Sequence, residues 1–423
     1  MKRYIWIVCL MMIVLSVVAC TKWKSGKKTS PPPGQAVSGG AGISGGAISP
    51  GAVLPKEFEL SDSQAFALAE EIVQDMTLEE KIGQMFLVDL STLDASEKNN
   101  PTYNLPKKAR EQLEKALPGG IYLSEKNIKT KEQTLELIDQ LQGCATGCAL
   151  YIAVEEEGGG EHSLSAKVND LKVAGYIMPA DLGGALSEEQ IYNTAGSIAK
   201  ELREWNVNLN LAPVADISSN MKSDYMRRCF STDEQEVETA LRSYVSGQRD
   251  QGLATTLKYF PGIGNVSGDY EEELLKNTDS LMKMRRRNFK PYKEGIEAGT
   301  DCIMVSNVAI PKITVDEKLP AFMSEAIVTD LLREEIGFDG IIMTPALTMK
   351  SLTDNYKQEK MVVESVKAGC DMIVLPDDYR KAYKALLNAV HLKVIDEKRI
   401  NTSVSRIVKN KIQRGIYRLE PNK

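Results

Sequence analysis

Three consecutive glutamates form a dense group of reactive side chains in the sequence. Glu155, Glu156 and Glu157 come directly after the apolar run Leu150–Val154 and directly before three glycines. Carboxylates in such a loop could act as acids or bases, could bind a hydroxyl-rich or cationic ligand, or could simply be solvated. We take Glu155 and Glu157 as candidate ligand contacts, and the solvated loop stays open as the alternative.

Two further carboxylates, Asp269 and Glu271, follow a second apolar run, Ala254–Lys258. A carboxyl group donates a proton near neutral pH only when burial or a neighbouring carboxylate raises its pKa. Both residues are therefore candidate acid/base groups. His162 lies just beyond the glutamate-rich loop and could also supply a proton, although most isolated histidines are not catalytic.

Lys258, Tyr259 and Arg228 add positive charge and an aromatic ring to the same group of loops. Lys258 could contact a ligand or pair with a buried carboxylate. Arg228 could likewise brace its loop against an acid such as Asp216. The flat face of Tyr259 suits the C–H surface of a sugar ring, and it equally suits core packing at a strand end. All three are candidate ligand contacts.

These loops follow short apolar runs that alternate with amphipathic stretches. Continuous apolar runs are typical of strands buried on both faces of a parallel sheet. The eight candidate strands are Gln84–Val88, Gly120–Leu123, Leu150–Val154, Val207–Leu211, Ala254–Lys258, Cys302–Val305, Gly340–Met343 and Met372–Leu375. Eight such units in one body, residues 55–423, predict a single-domain α/β fold, a (β/α)8 barrel of the TIM type. An open doubly wound sheet is the alternative.

Helical signals separate the candidate strands. The stretches Glu188–Trp205 and Ser324–Ile336 have the periodicity of amphipathic helices. Thr77 followed three residues later by Glu80 predicts a capping box at the start of another helix. In a (β/α)8 barrel the loops that follow the strands meet at one end, so the candidate site residues should be neighbours there.

The N-terminus has the features of a bacterial export signal. Lys2 and Arg3 precede an apolar run of 16 residues, Tyr4–Ala19, which is shorter than the roughly 20 residues that a membrane-spanning helix needs. The run ends at Cys20 in a lipobox-like sequence. We therefore expect residues 1–19 to be a signal peptide and Cys20 to carry a lipid that anchors the chain to the cell membrane. An uncleaved N-terminal anchor is the alternative, and both place the body outside the cytoplasm.

A low-complexity stretch follows the candidate lipidation site. It contains three consecutive prolines and then a run rich in glycine, serine and alanine. So few bulky apolar residues cannot offset the entropy lost on ordering. We therefore expect residues 20–54 to form the lipidated cysteine and a disordered tether.

The composition argues against two classes of partner. The formal net charge is −6, and the first 54 residues hold six basic residues and no acidic one, so the body is more acidic than the total. Binding of nucleic acid needs clustered Lys and Arg, so we expect no nucleic-acid partner.

The counts of cysteine and histidine bear on disulfide bonds and metal sites. Seven cysteines, two of them N-terminal, argue against a full disulfide framework, and two histidines argue against a metal site.

Several motifs together resemble the N-terminal catalytic barrel of glycoside hydrolase family 3, in its single-domain β-N-acetylhexosaminidase branch. They are Met76–Gln84, Pro118–Ile121, Leu319–Ala321, Leu331–Arg333 and Gly337–Gly340, and they follow the family order across nearly the whole body. The resemblance implies a (β/α)8 barrel, N-acetylglucosamine-containing glycans such as those of the cell wall as ligands, and no cofactor.

The residues that would carry the family's chemistry are altered. The family nucleophile is the aspartate of a Thr/Ser-Asp-X-Leu-X-Met pattern, and Pro345 takes its place within Thr344–Met349. The acid/base loop retains Asp269 but has Glu271 where this branch has histidine. Proline can neither attack a carbon nor stabilise an oxocarbenium ion, so the resemblance implies that no catalytic pair is intact.

The family's substrate contacts are partly retained. Its Lys-His pair becomes Lys258-Tyr259, and its Asp-X-Glu-Gly-Gly-Arg becomes the stretch Glu155–Gly160, so the arginine is lost. Lys258, Arg228 and Glu157 persist. The resemblance therefore implies a glycan-binding pseudoenzyme. Two alternatives remain: a glycosidase with relocated catalytic residues, and a module that binds proteins at the cell surface.

Overall fold

The computed structural model describes residues 60–93, 100–145, 148–159, 163–172, 187–217, 224–263, 266–314 and 316–417. The predicted signal peptide, Cys20, the predicted tether and His162 lie outside these ranges. Within them, no helix is long and apolar enough to cross a membrane.

Eight parallel strands close into a barrel in chain order, and β8 pairs back to β1. The strands are β1 (Phe86–Asp89), β2 (Gly120–Tyr122), β3 (Tyr151–Val154), β4 (Leu209–Asn210), β5 (Ala254–Phe260), β6 (Cys302–Val305), β7 (Ile341–Ala346) and β8 (Met372–Val374). Each overlaps one predicted apolar run. The predicted barrel is therefore confirmed, and the open sheet is excluded.

Helices surround the barrel and follow the strands along the chain. The α-helices are Asp62–Asp75, Leu78–Gln84, Lys107–Lys115, Lys131–Gln142, Glu188–Glu204, Asp224–Arg227, Glu234–Asp250, Leu281–Arg286, Phe289–Glu297, Pro311–Thr314, Lys350–Thr353, Gln358–Ala368, Tyr379–His391 and Glu397–Gln413. Short 3₁₀ turns are Leu90–Leu93, Leu164–Ala166 and Ala321–Met323. Ala326–Glu335 is a π-helix, which the apolar periodicity of this stretch did not predict.

The predicted capping box is present at the helix before β1. The Thr77 hydroxyl accepts a hydrogen bond from the Glu80 amide at 3.2 Å, and the Glu80 carboxylate accepts one from the Thr77 amide at 2.8 Å. The same helix ends at Gln84, whose side chain accepts a hydrogen bond from buried Lys411 at 2.7 Å. The C-terminal helix is thereby attached to the amino-terminal end of the barrel.

Strand β7 contains a proline in a buried position, although proline cannot donate a hydrogen bond to a sheet. The register with β8 shifts between Met343 and Ala346, on either side of Pro345. In this bulge the Thr344 hydroxyl accepts a hydrogen bond from the Val374 amide at 2.9 Å and donates one to the Pro345 carbonyl at 2.8 Å. The Thr344 hydroxyl thus replaces a backbone hydrogen bond between β7 and β8 that the bulge removes.

Replacing Thr344 with valine should destabilise the barrel, because the buried Val374 amide and Pro345 carbonyl both lose a partner. We expect the free energy of unfolding to fall by about 1–3 kcal/mol, measured by urea denaturation. Thr353→Val, at an exposed helix position, is the control and should change it by less than about 0.5 kcal/mol. Equal effects of the two substitutions would contradict this role for the hydroxyl.

Candidate functional site

A cleft of about 380 Å³ opens where the carboxyl ends of the strands meet. This end of a (β/α)8 barrel is where such folds place their active sites. The lining residues come from β2 to β8 and the loops that follow them: Tyr122, Glu155, Leu211, Lys258, Tyr259, Glu271, Glu272, Met304, Ala346, Thr348, Met349, Lys350, Val374 and Leu375. The cleft is large enough for a monosaccharide and has both charged and apolar walls.

Four charged residues, Glu155, Glu157, Arg228 and Lys258, form one connected group, which we call the charge cluster. Arg228 binds Glu157 through two donors, Nε at 2.9 Å and Nη2 at 2.6 Å, and Nη2 also reaches Glu155 at 3.2 Å. Lys258 Nζ lies 2.5 Å from Glu155 and 2.6 Å from Glu157. Two carboxylates thus share two cations, and the cluster is neutral overall.

The charge cluster is buried except at Glu155. The side chains of Glu157 and Lys258 are 1% exposed and that of Arg228 is 3% exposed, whereas Glu155 is 27% exposed. Burial alone would raise the pKa of Glu157, but Arg228 and Lys258 outweigh it and lower that pKa to about 2. Burial would lower the pKa of Lys258, but Glu155 and Glu157 raise it above its ordinary value. Glu157 and Lys258 are therefore both ionised at neutral pH.

Two tyrosines complete the hydrogen bonding of Arg228. Its Nη1 donates to the Tyr270 hydroxyl at 2.6 Å and its Nη2 to the Tyr259 hydroxyl at 3.2 Å. The Tyr270 hydroxyl in turn donates to Glu271 Oε1 at 3.1 Å. The candidate acid/base residue Glu271 is therefore connected to the charge cluster through Tyr270. Sequence reasoning missed Tyr270, since its only signal is its place between Asp269 and Glu271.

The three consecutive glutamates have three different environments. Glu155 lines the cleft and Glu157 lies in the charge cluster beneath it. Glu156 is fully buried, and its carboxylate accepts hydrogen bonds from the amides of Gly158 at 2.8 Å and Ser165 at 2.7 Å. Burial raises the pKa of Glu156 although these amides oppose the change. Glu156 therefore fixes the loop rather than facing a ligand.

The loop after β5 is attached to the turn after β7. The Ser351 amide donates to the Glu271 carbonyl at 2.8 Å, and Asn307 Nδ2 bridges the Tyr270 carbonyl at 2.6 Å and the Ser351 hydroxyl at 2.9 Å. At the surface, Lys350 and Glu272 form an ion pair at 2.8 Å. These contacts hold Glu271 at the edge of the cleft next to β7.

The structure brings together only part of the predicted site. Glu155, Lys258, Tyr259 and Glu271 line the cleft, whereas Glu157 and Arg228 are buried behind it. Arg228 forms ion pairs with Glu155 and Glu157. The Asp216 carboxylate accepts hydrogen bonds from the Tyr225 hydroxyl and the Ile263 amide.

The candidate acid/base residue Asp269 and the residue at the family's nucleophile position, Pro345, are not among the residues that line the cleft. Asp269 is exposed and does not line the cleft, and its carboxylate accepts a hydrogen bond from the Glu271 amide at 2.9 Å. Pro345 is buried, and the described residues that β7 and its following turn contribute to the cleft are Ala346, Thr348, Met349 and Lys350. None of these four is a carboxylate.

The fold is a parallel (β/α)8 barrel with an open cleft at the carboxyl ends of its strands. The N-terminal domain of glycosyl hydrolase family 3 matches residues 77–410, and the chain belongs to this family. The family resemblance predicted from the sequence motifs is thereby confirmed.

Proteins named as beta-hexosaminidases or as a beta-N-acetylglucosaminidase are similar to much of this chain. Beta-hexosaminidase A of Pseudoalteromonas piscicida is 26% identical over 82% of this chain and 63% of its own length. A beta-hexosaminidase of Stenotrophomonas maltophilia is 29% identical over 63% of this chain and 78% of its own length. The solved family 3 beta-N-acetylglucosaminidase of Paenibacillus sp. has a TM-score of 0.73 and 28% identity over 82% of this chain and 64% of that chain. This chain thus spans less than two thirds of the first and third of these proteins.

Replacing Glu157 with glutamine should destabilise the barrel, because two buried cations would then share only Glu155. We expect a loss of about 3–5 kcal/mol in the free energy of unfolding at pH 7. Glu204→Gln, which breaks the exposed pair with Lys131, is the control and should cost less than about 1 kcal/mol.

The pH dependence of unfolding tests the same charge cluster. The pKa of Glu157 falls on folding from 4.5 to about 2, so its ionised form stabilises the fold above about pH 4.5. That contribution, about 3 kcal/mol, is lost as the pH falls toward 2. Denaturation curves of Glu157→Gln should therefore change less over this interval than those of the natural chain. An identical pH dependence in both proteins would contradict the lowered pKa.

Proposed function

We propose that this chain is a glycan-binding member of family 3 that does not hydrolyse its ligand, and that it is anchored outside the cytoplasm by a lipid on Cys20. The observation that carries the first part is the wall at the end of β7. There, Pro345 is buried in the strand and Ala346, Thr348 and Met349 line the cleft. Retaining hydrolysis by a protein nucleophile needs two carboxylates about 5 Å apart across the sugar.

Retained binding groups support a glycan as the ligand. Glu155 is partly exposed in the cleft and is held in place by Lys258 and Arg228, so it can accept hydrogen bonds from sugar hydroxyls. The Tyr259 ring lines the same cleft and can pack against a sugar ring. Relatives named as beta-hexosaminidases and a beta-N-acetylglucosaminidase indicate an N-acetylglucosamine-containing glycan, including peptidoglycan.

The second candidate is an active glycosidase with relocated residues. Glu271 favours it, since this carboxylate lines the cleft and accepts a hydrogen bond from Tyr270. Hydrolysis assisted by the substrate's own acetamido group needs no protein nucleophile, so a single acid could suffice. An open, monosaccharide-sized cleft gives less support to a protein-interaction module, because small ligands bind in concave sites of this kind.

Hydrolysis of a chromogenic N-acetyl-β-glucosaminide by residues 55–423 separates the two candidates. We expect no turnover above the uncatalysed rate from the natural sequence, and measurable turnover from the Pro345→Asp, Glu271→His double variant. The matched control is Thr348→Asp, Glu271→His, which adds a carboxylate to the cleft at a different position and should stay inactive.

Binding of methyl N-acetyl-β-glucosaminide to the same preparations completes this test. We expect calorimetric titration to detect binding to the natural sequence in the absence of turnover. Turnover by the natural sequence would contradict the proposal and support the glycosidase, and Glu271→Gln would then be expected to abolish it. Failure to bind any glucosaminide would contradict the glycan-binding proposal.

Membrane anchoring is tested by fractionating bacteria that express the full chain. The natural chain should sediment with membranes and take up radiolabelled palmitate, whereas Cys20→Ala should do neither. Cys9→Ala, which changes a cysteine within the predicted signal peptide, is the control and should behave like the natural chain. Palmitate uptake by Cys20→Ala would contradict lipidation at this residue.

A further inference from the structure

The numbers of acidic and basic side chains that line the cleft differ. Three carboxylates, Glu155, Glu271 and Glu272, face two lysines. Lys258 is already held between Glu155 and Glu157, and Lys350 pairs with Glu272 at 2.8 Å. Among the described residues, no cation lies within salt-bridge distance of Glu271. The cleft therefore presents one carboxylate whose charge is not neutralised by the protein.

Glu271 is exposed to solvent, and two hydrogen bonds hold it in a defined place. Its Oε1 accepts a hydrogen bond from the Tyr270 hydroxyl at 3.1 Å, and Tyr270 is fixed by Arg228 at 2.6 Å. Its backbone carbonyl accepts one from the Ser351 amide at 2.8 Å. In the described part of the chain no group donates to Oε2, so this oxygen is available to a ligand. A positioned carboxylate with one open oxygen is well suited to a cationic donor.

Part of the remaining cleft lining is apolar. Leu211, Met304, Ala346, Met349 and Val374 line it, and their side chains supply no hydrogen-bond donor. An acetamido carbonyl that faced this wall would lose its hydrogen bonds to water without replacement, which is unfavourable. The C–H face of a sugar ring would lose no hydrogen bonds to water in the same position. Ligand polar groups should therefore lie away from these five residues, and Glu155 and Glu271 offer acceptors to them.

The geometry points to an amino sugar with a free ammonium group as the preferred ligand, bound with that group on Glu271 and its hydroxyls toward Glu155. This inference rests on the proposed function, because it names which form of the glycan the same cleft selects. N-deacetylated glucosaminides carry an ammonium group that can form an ion pair with Glu271. Their N-acetylated counterparts present a neutral amide to the same carboxylate.

Calorimetric titration of the full chain in detergent with two matched glycosides tests this preference. The probes are methyl β-glucosaminide and methyl N-acetyl-β-glucosaminide at pH 6, where the free amine is protonated. We expect the free amine to bind about tenfold more tightly, the gain typical of one charge-assisted hydrogen bond. Glu271→Gln should remove this preference. Glu273→Gln, an exposed carboxylate on the same loop that does not line the cleft, should keep it.

The possible results separate the inferred preference for an amino sugar from the proposed glycan-binding function. Equal or tighter binding of the N-acetylated probe would overturn the inference and leave the proposed function standing. An amine preference that persists in Glu271→Gln would overturn the assignment to this residue. Absence of binding by both probes would contradict the proposed function as well.

Discussion

The buried charge cluster is the constraint on which the carboxyl end of the barrel depends. Glu157 and Lys258 are almost inaccessible to water, and each is stable there only because the others are present. The loop after β3 supplies the carboxylates, β5 supplies the lysine, and the loop after β4 supplies Arg228. Two neighbouring loops and strand β5 are therefore held together by these ion pairs. Their exposed member, Glu155, is positioned without any ligand.

The proposed function assigns ligand binding to the loops after β3 and β5. Glu155 is held by two cations and Glu271 by Tyr270, so both carboxylates have a defined position for accepting hydrogen bonds. After the bulge around Pro345, the turn after β7 contributes Ala346, Thr348, Met349 and Lys350 to the cleft, and none of these is a carboxylate. On the proposed function, binding would therefore depend on loops other than the one that follows β7.

Much of the fold could be predicted from the sequence, because buried parallel strands leave continuous apolar runs and eight such runs fit one architecture. The site was less predictable. Sequence alone could not show that Glu156 turns inward to bind Gly158 and Ser165, or that Thr344 compensates for Pro345. Nor could it show that Tyr270 connects Arg228 to Glu271. Each of these depends on the direction of a side chain or on a local register shift, and the periodicity of the sequence encodes neither.

The most direct test of the account is a crystal structure of the protein soaked with N,N′-diacetylchitobiose and with its N-deacetylated form. The account predicts an intact disaccharide in the cleft, with hydroxyl groups on Glu155 and, in the deacetylated form, an ammonium group on Glu271. A cleaved monosaccharide or a covalent sugar adduct in the cleft would contradict it. So would a cleft that holds no sugar in either soak.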